Sequence, residues 1–462
     1  MKDAPRLDTD WDELRHVYVR SLADLAALRF YPDVLPEAAL PAAGLPWFMA
    51  LFGRDSLITS YQTLPFIPDV ARTTLIALAD LQAAERNDFR DAEPGKILHE
   101  LRFGELTVLG ERPHSPYYGT ADATPLFLIL LDEYERWTGD GDLVRELEPN
   151  ARAALAWIDD HGDVDGDGYV EYQTRNPASG LENQCWKDSH NSILFHDGSK
   201  AQGPIATCEI QGYVYDAKRR CARLAAAFWD DVALAERLER EAANFRRRFH
   251  DDFFLEDRGC YALALDGEKR KVDSCTSNMG HLLWSGIADE GPAAQVAARL
   301  MDENMFSGWG VRTMAAGDLG YNPVEYHNGT VWPHDTSLVA HGLARYGYRE
   351  EAARLAFAIV EAASHFAYRL PEVFAGYARA VTDFPVQYPT ASSPQAWASG
   401  APLLLLRVVL GLEPDGDRLA VDPVLPDGVG QLELRGVRRR SAGPRAGLIG
   451  RTADLSIRAR AS

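Results

Sequence analysis

The stretch Thr330–His365, TVWPHDTSLVAHGLARYGYREEAARLAFAIVEAASH, holds two helical segments with almost nothing between them. In its second half Ala353, Leu355, Ala356, Ile359 and Val360 share one face at helical spacing, which predicts a helix over 349–364. The first half predicts a helix over 330–346, and Gly347 follows Tyr346 where a C′ glycine belongs. So short a junction makes the two neighbours antiparallel. The pair reads as a helical hairpin.

Long segments flank this hairpin, from 302 to 330 and from 364 to 394, and the same alternation runs through the chain. Periodicity predicts helices near 11–30, 55–64, 69–86, 122–137, 142–160, 207–227, 230–249, 276–286, 290–302, 330–346, 349–364 and 394–411. Thr138-Gly139-Asp140-Gly141 separates two of them, and Ser393-Pro394 places a cap before an N1 proline. Short and long connections alternate without a break. If the helices run alternately up and down, every long connection opens at the same end. An all-α fold of the (α/α)6 toroid type, a six-hairpin barrel, produces this pattern, and we assign it residues 1–412. Almost no strand pattern precedes residue 415. Beyond about residue 412 Pro, Gly and Asp increase, and Arg418–Val421, Gln431–Leu434 and Asp454–Ile457 alternate. Residues 413–462 therefore read as a short β-rich tail packed on the barrel, with Arg438-Arg439-Arg440 as a solvated turn.

The chain has 462 residues, 46% of them apolar, enough for a large core. Its net charge of −20 argues against nucleic acid, whose phosphates are bound by Lys and Arg. Five dispersed cysteines with no CxxC pair argue against a disulfide framework or a structural zinc. Met1–Arg15 is charged and lacks the apolar core of a signal peptide, and no apolar run approaches a membrane span. The expectation is a cytoplasmic protein without a membrane or nucleic-acid partner.

The long connections hold the residues that could do chemistry. Five of the ten tryptophans lie there, each near a charged or amide side chain. A pyranose presents apolar C–H faces to aromatic rings and hydroxyls to fixed donors and acceptors, so this pairing suits a carbohydrate. Trp47, Tyr118, Trp186 and Trp397 are the candidate ring faces, and Arg54-Asp55 can grip adjacent hydroxyls. Lys187 must point away from Asp188, towards a hydroxyl. The alternative is that these tryptophans plug one end of the ring and the charges cap helices. Glycoside hydrolysis needs one protonated carboxyl for the leaving oxygen and one carboxylate to activate water. Asp188, two residues after Trp186, suits the acid, because apolar surroundings raise a carboxyl pKa. Glu372, after Leu370-Pro371, sits in another loop.

The segments FGRDS, EPGKILHELR, YYGTADATPLF, DGDGYVEY, CWKDS, SGWGVRT, YHNGTVWPHD, LPE and SPQAW, in order over about residues 10–425, resemble the catalytic domain of bacterial amylo-α-1,6-glucosidase proteins of the glycogen-debranching type. These are related to processing α-glucosidase I, neutral trehalase and glucoamylase. The resemblance implies an (α/α)6 barrel and an inverting, exo-acting α-glucosidase that releases a terminal α-linked glucose from an α-1,6 or small α-glucoside. It implies Asp188 as general acid and Glu372 as general base, roughly 6.5–9.5 Å apart for inversion. It also implies that Arg54 and Asp55 hold the sugar, helped by Asp122, His327, Asn328, Trp332 and Asp335. Such relatives carry a β-rich domain before the barrel, whereas here the first helix begins near Trp11.

Asp163, Asp165 and Asp167, followed by Gly168, resemble the start of a calcium loop, but Thr174 stands where a bidentate Glu is required. The other reading is a tight Asp-Gly turn with Tyr169 and Glu171 facing substrate. His99, His327 and His334 lack metal-ligand spacing, so no cofactor is expected. Two rival functions remain: a sugar epimerase or isomerase on the same toroid, and a carbohydrate-binding protein without catalysis. Epimerisation needs proton transfer at carbon, usually by histidines on inner helices, and would take up label from deuterated water. A phosphorolytic variant would need an anion site, for which Lys187 and Arg312 are the candidates.

Overall fold

The computed structural model describes residues 4–32, 39–416, 418–437 and 455–460. Twelve helices of eight residues or more are present among them: α1 (Asp12–Ala27), α2 (Gly53–Thr63), α3 (Pro68–Asp80), α4 (Ala123–Thr138), α5 (Glu148–Asp160), α6 (Cys208–Phe228), α7 (Val232–Phe253), α8 (Asn278–Ser285), α9 (Glu290–Leu300), α10 (Pro333–Arg345), α11 (Arg349–Ser364) and α12 (Ala396–Leu410). The even-numbered helices form a closed ring: α2 packs on α4, α4 on α6, α6 on α8, α8 on α10, α10 on α12, and α12 back on α2. The odd-numbered helices lie outside, each against its hairpin partner or, for α1, against α11 and α12. This is the toroid that the alternating connections predict.

Burial explains the two kinds of helix. Every residue of α2 and of α12 is buried, so these inner helices show no polar stripe. In α7 only Leu234, Ala235, Leu238, Ala242, Phe245, Phe249 and Phe253 are buried, a single face at helical spacing. Inner helices approach closely where glycines meet. A Cβ on Gly280 would lie 2.5 Å from Val339 Cγ2, and one on Gly342 would lie 2.6 Å from the Trp284 nitrogen. Gly139 and Gly347 end α4 and α10 in the left-handed region, at φ 75 and 89.

Three expected boundaries move. The helix expected over 69–86 ends at Asp80, because Ala83 is drawn away to exchange backbone bonds with Gly95 and Lys96. The segment 142–160 is two helices, Gly141–Glu146 and α5, with Pro149 in the first turn of the second. Pro394 is not an N1 residue. Ser393 and Pro394 pair with Leu45, and α12 begins only at Ala396.

Strands before residue 415 also go beyond expectation. Two-residue ladders such as Leu51–Phe52 with Glu100–Leu101 tie the long connections together. Arg6–Thr9 pairs antiparallel with Gln431–Val437, whose other edge pairs with Leu455–Arg460. Thr9, Leu432, Leu434, Val437, Ile457 and Ala459 are buried in this sheet. The run Arg438–Arg440 lies outside the described residues. No helix among the described residues is long and apolar enough to cross a membrane.

Away from the long connections, charged groups are buried as a network. Arg407 of α12 donates to Glu133 of α4 and to Glu413, each at 2.8 Å. His341 of α10 contacts Glu413 at 2.8 Å. Burial would raise the Glu133 carboxyl, but Arg407, Arg136 and Arg220 outweigh it and hold it well below its usual range.

Candidate active site

Each long connection ends at the first turn of an inner helix, so six helix N-termini gather at one rim. Arg54 and Asp55 open α2, Asp122 precedes α4, Glu209 opens α6, Asn278 opens α8, His334 and Asp335 open α10, and Trp397 opens α12. Their side chains meet across the ring. Arg54 donates to Asp122 Oδ2 at 2.7 Å and to Asp188 Oδ2 at 3.0 Å, Asp55 accepts from Gln395 at 3.4 Å, and Asp335 contacts His281 at 2.7 Å.

Asp188 and Glu372 share this rim. Ser189, next to Asp188, lies 2.7 Å from His327 Nδ1, and Tyr326, next to His327, donates to Glu372 Oε1 at 2.6 Å. The other Glu372 oxygen accepts the Ser392 N–H at 3.0 Å. The Glu372 side chain is 3% exposed. Asp188 is 32% exposed through the cleft, yet it is embedded deeply enough for its surroundings to set its charge.

Burial dominates the proton affinities. It pushes Asp188 up to about 6, with Arg54 opposing and Asp122 and Glu100 assisting. It pushes Glu372 up to about 7, against the Ser392 N–H and the Tyr326 hydroxyl and with help from Asp188. Asp55 also rises to about 7, where Arg54 opposes burial and Glu372 and Asp188 reinforce it. Three carboxyls within mutual electrostatic reach of one another thus compete for protons near neutrality.

Aromatic rings enclose the same space. Trp186 stands edge-on to His327, Trp332 and His334, and His334 stacks on Trp397 with centroids 3.7 Å apart. Trp47 is 58% exposed at the rim, with its indole N–H on the Thr390 carbonyl at 3.1 Å. Trp186 Nε1, Trp397 Nε1, both His334 nitrogens, Asp335 Oδ2 and Gln395 Oε1 are buried without a hydrogen-bond partner among the described residues. Buried polar atoms seldom stay unpaired, so this wall has hydrogen-bonding capacity left over.

Several residues expected to touch sugar are engaged in scaffold instead. Asp122 is fully buried, with one oxygen on Arg54 and the other accepting from Thr120 at 2.6 Å. Lys187 is buried and donates to the Thr313 carbonyl at 2.6 Å, because the apolar side of its loop packs into the ring wall. Tyr118 donates to the Leu81 carbonyl at 2.7 Å, and Asn328 to the Asn191 carbonyl at 2.7 Å. His327 faces Ser189 and stacks on Trp332. Arg312, raised as an anion site, is buried with its donors on the Gly376, Glu303 and Asn304 carbonyls. Tyr326, Ser392 and Gln395 belong to the site without having been singled out. Tyr326 and Gln395 lie inside the quoted motifs YHNGTVWPHD and SPQAW, whereas nothing local marks Ser392.

In the aspartate-rich loop, the Lys269 ammonium lies 2.7 Å from Asp165 and 2.6 Å from Asp167, and also pairs with Glu171. Asp163, Asp165 and Glu171 converge as a metal set would, but Lys269 places a positive charge among the same carboxylates. Tyr169 and Glu171 are both engaged within the protein. The Tyr169 hydroxyl donates to Asp252 of α7 at 2.7 Å, and Glu171 is held by Lys269 and the Val164 N–H.

Comparison with known proteins agrees with this fold. Among solved structures, the GH63 mannosylglycerate hydrolase from Thermus thermophilus in complex with glucose is 15% identical, with a TM-score of 0.64 over 85% of this chain and 100% of that one. A sialidase is 12% identical with a TM-score of 0.70, and the GH78 rhamnosidase of Bacillus sp. GL1 is 13% identical with a TM-score of 0.66. Each covers 95% of this chain, which spans only 37% and 39% of their respective lengths. At such identities the likeness is one of fold. No curated protein sequence matches the chain. The profile of the mannosylglycerate hydrolase MGH1-like glycoside hydrolase domain matches residues 55–377. The resemblance to amylo-α-1,6-glucosidases therefore holds at the level of a six-hairpin glycoside hydrolase and not as that specific activity. The profile match, covering well over half of a chain folded as a ring of helical hairpins, places the chain in the MGH1-like family of glycoside hydrolases.

Proposed function

We propose that this glycoside hydrolase is an inverting, exo-acting α-glycosidase that releases one terminal α-linked hexose, glucose above all, from a small glycoside. Asp188 is the general acid and Glu372 the general base. The observation that carries this reading is the contrast between the two carboxyls. Glu372 accepts two hydrogen bonds, one on each oxygen, as suits a carboxylate that takes a proton from water. Asp188 is the more open of the two, within reach of a leaving oxygen in the cleft.

In the mechanism, Arg54 orients Asp188, and the protonated Asp188 delivers its proton to the glycosidic oxygen as the bond to the anomeric carbon breaks. Glu372 removes a proton from a water attacking the opposite face, so the released sugar has the inverted configuration. Trp186, Trp332 and Trp397 exclude bulk water and pack against the sugar's C–H face. The unpaired atoms of His334, Asp335 and Gln395 supply partners for its hydroxyls.

Solved relatives hold glucose in one case and Tris with D-glycerate in another, which supports a small aglycone for this chain. A panel of isomaltose, panose, limit dextrin, trehalose, kojibiose, glucosylglycerate and mannosylglycerate tests the reading. Release of hexose from a small α-glycoside, lost in both Asp188→Asn and Glu372→Gln, is expected. Retained hydrolysis in either variant removes that residue from its role.

A further inference from the structure

The acid loop and the base loop are joined by four consecutive residues. Glu325 accepts from Asn191 at 3.0 Å, Tyr326 donates to Glu372 at 2.6 Å, His327 Nδ1 lies 2.7 Å from Ser189 Oγ, and Asn328 donates to the Asn191 carbonyl at 2.7 Å. Three of the four therefore reach the loop of Asp188, and the fourth reaches Glu372 itself. The segment is pinned in turn, because the Tyr326 carbonyl accepts from Thr330 at 2.6 Å and from the Trp332 indole at 3.0 Å. The His327 ring stacks on Trp332 at an interplanar angle of 16°.

We propose that Tyr326 and His327 are positioning residues: Tyr326 orients the Glu372 carboxylate, His327 anchors the Asp188 loop through Ser189, and their adjacency in the chain sets the gap between acid and base. This rests on the glycosidase reading of that pair. A carboxylate offers about four lone-pair positions. The Tyr326 hydroxyl takes one on Oε1 and the Ser392 N–H takes one on Oε2, which fixes the plane of the group and leaves positions for a water. A misplacement of about 1 Å at such a centre costs about a hundredfold in rate. The groups facing Glu372 are Tyr326, the Ser392 N–H, Asp188, Asp55 and Tyr388. Of these, only the Tyr326 hydroxyl and the Ser392 N–H favour the ionised form, and the side chain can be removed without touching the backbone. His327 is held neutral by burial, with Lys187 and Arg54 adding to the effect. Its tie to Ser189 is therefore geometric and does not depend on its charge.

The test compares wild type with Tyr326→Phe, His327→Ala and His327→Asn on the best small glycoside of the panel. Tyr326→Phe is expected to lower kcat at pH 6 by at least about tenfold with KM within about threefold and, because Glu372 titrates above Asp188, to move the basic limb of kcat/KM upward by about one unit. His327→Ala is expected to lower kcat with that limb unmoved, and His327→Asn, which keeps a polar atom near Nδ1, to recover most of the loss. A Tyr326→Phe effect confined to KM, or an unmoved basic limb, overturns the role of Tyr326. An Asn variant as poor as Ala overturns that of His327. A readout independent of turnover is the ¹³C NMR titration of labelled glutamate carboxyls, with the Glu372 signal assigned by its absence in Glu372→Gln. Its midpoint should rise in Tyr326→Phe, and an unchanged midpoint also overturns the proposal. Failure of the glycosidase reading looks different: wild type would release no sugar while the titration shift persisted.

Discussion

Arg54 donates to Asp188 Oδ2 at 3.0 Å while its other terminal nitrogen donates to Asp122, so the residue read as general acid is also half of an ion pair. Two effects oppose each other there. The guanidinium favours the carboxylate and burial favours the acid, and burial prevails, leaving Asp188 at about 6.

A pH profile follows. On the proposed roles, Glu372 must be ionised to act as base and lies at about 7, while Asp188 must be protonated to act as acid and lies at about 6. Below both values the base carries a proton, and above both the acid has lost its own. The profile of kcat/KM should be a narrow bell centred midway between them, at roughly pH 6.5, with limbs that belong to the coupled carboxyls together. A plateau extending beyond pH 9 would contradict it.

Asp55 gives a stability prediction with a definite sign. Burial raises its carboxyl from 3.8 to about 7, so the folded protein holds a proton that the unfolded chain releases between those values. Stability contributed at this position is present below about pH 4 and is lost as pH rises through about 7. Asp55→Asn should therefore be more stable than wild type at pH 8 by roughly 1–3 kcal/mol, and no more stable at pH 4. Urea unfolding at both pH values checks it, and equal gains at both would refute the titration origin.

Lys269 makes a prediction about calcium. Its ammonium is within 2.7 Å of Asp165 and Asp167, in competition with any cation for Asp163, Asp165 and Glu171. Millimolar calcium should leave the Tm of wild type unchanged and raise that of Lys269→Ala by a few degrees, about 1 kcal/mol or more. A calcium-dependent Tm in wild type would show that Lys269 yields the site.

Arg407 should be the costliest side chain to remove from the buried network. It is 1% exposed and pairs with Glu133 and Glu413. Arg407→Met leaves Glu133 buried beside a lost partner and should destabilise by about 3–5 kcal/mol. Adding Glu133→Gln should recover part of this, as a chemical-denaturation cycle would show.

The ring was legible because connection length is a property of sequence: the hairpin at Tyr346–Arg349 and its long neighbours already require one crowded rim. Pairings that depend on distant segments were not. Arg6–Thr9 finds its partner at Gln431–Val437; alternation at Gln431–Leu434 marks a strand but does not say which distant segment it pairs with. The motifs single out Arg54, Asp188 and Glu372 as candidates, but they could not say which neighbouring side chains are tied into scaffold. Asp122, Lys187 and Asn328 lie in or beside the quoted motifs yet are bonded into scaffold, while Tyr326, inside the same motif as His327, reaches Glu372. Orientation is set by partners distant in the chain, Thr313 for Lys187, Asn191 for Asn328 and Arg54 for Asp122.

The most direct measurement is proton NMR of the sugar at the moment of its release from an α-glycoside of the panel, before mutarotation. Asp188 and Glu372 acting on opposite faces of the anomeric carbon predict that the β-anomer appears first and the α-anomer grows in later. First appearance of the α-anomer would mean a covalent or otherwise retaining route and would contradict the assignment of these two carboxyls.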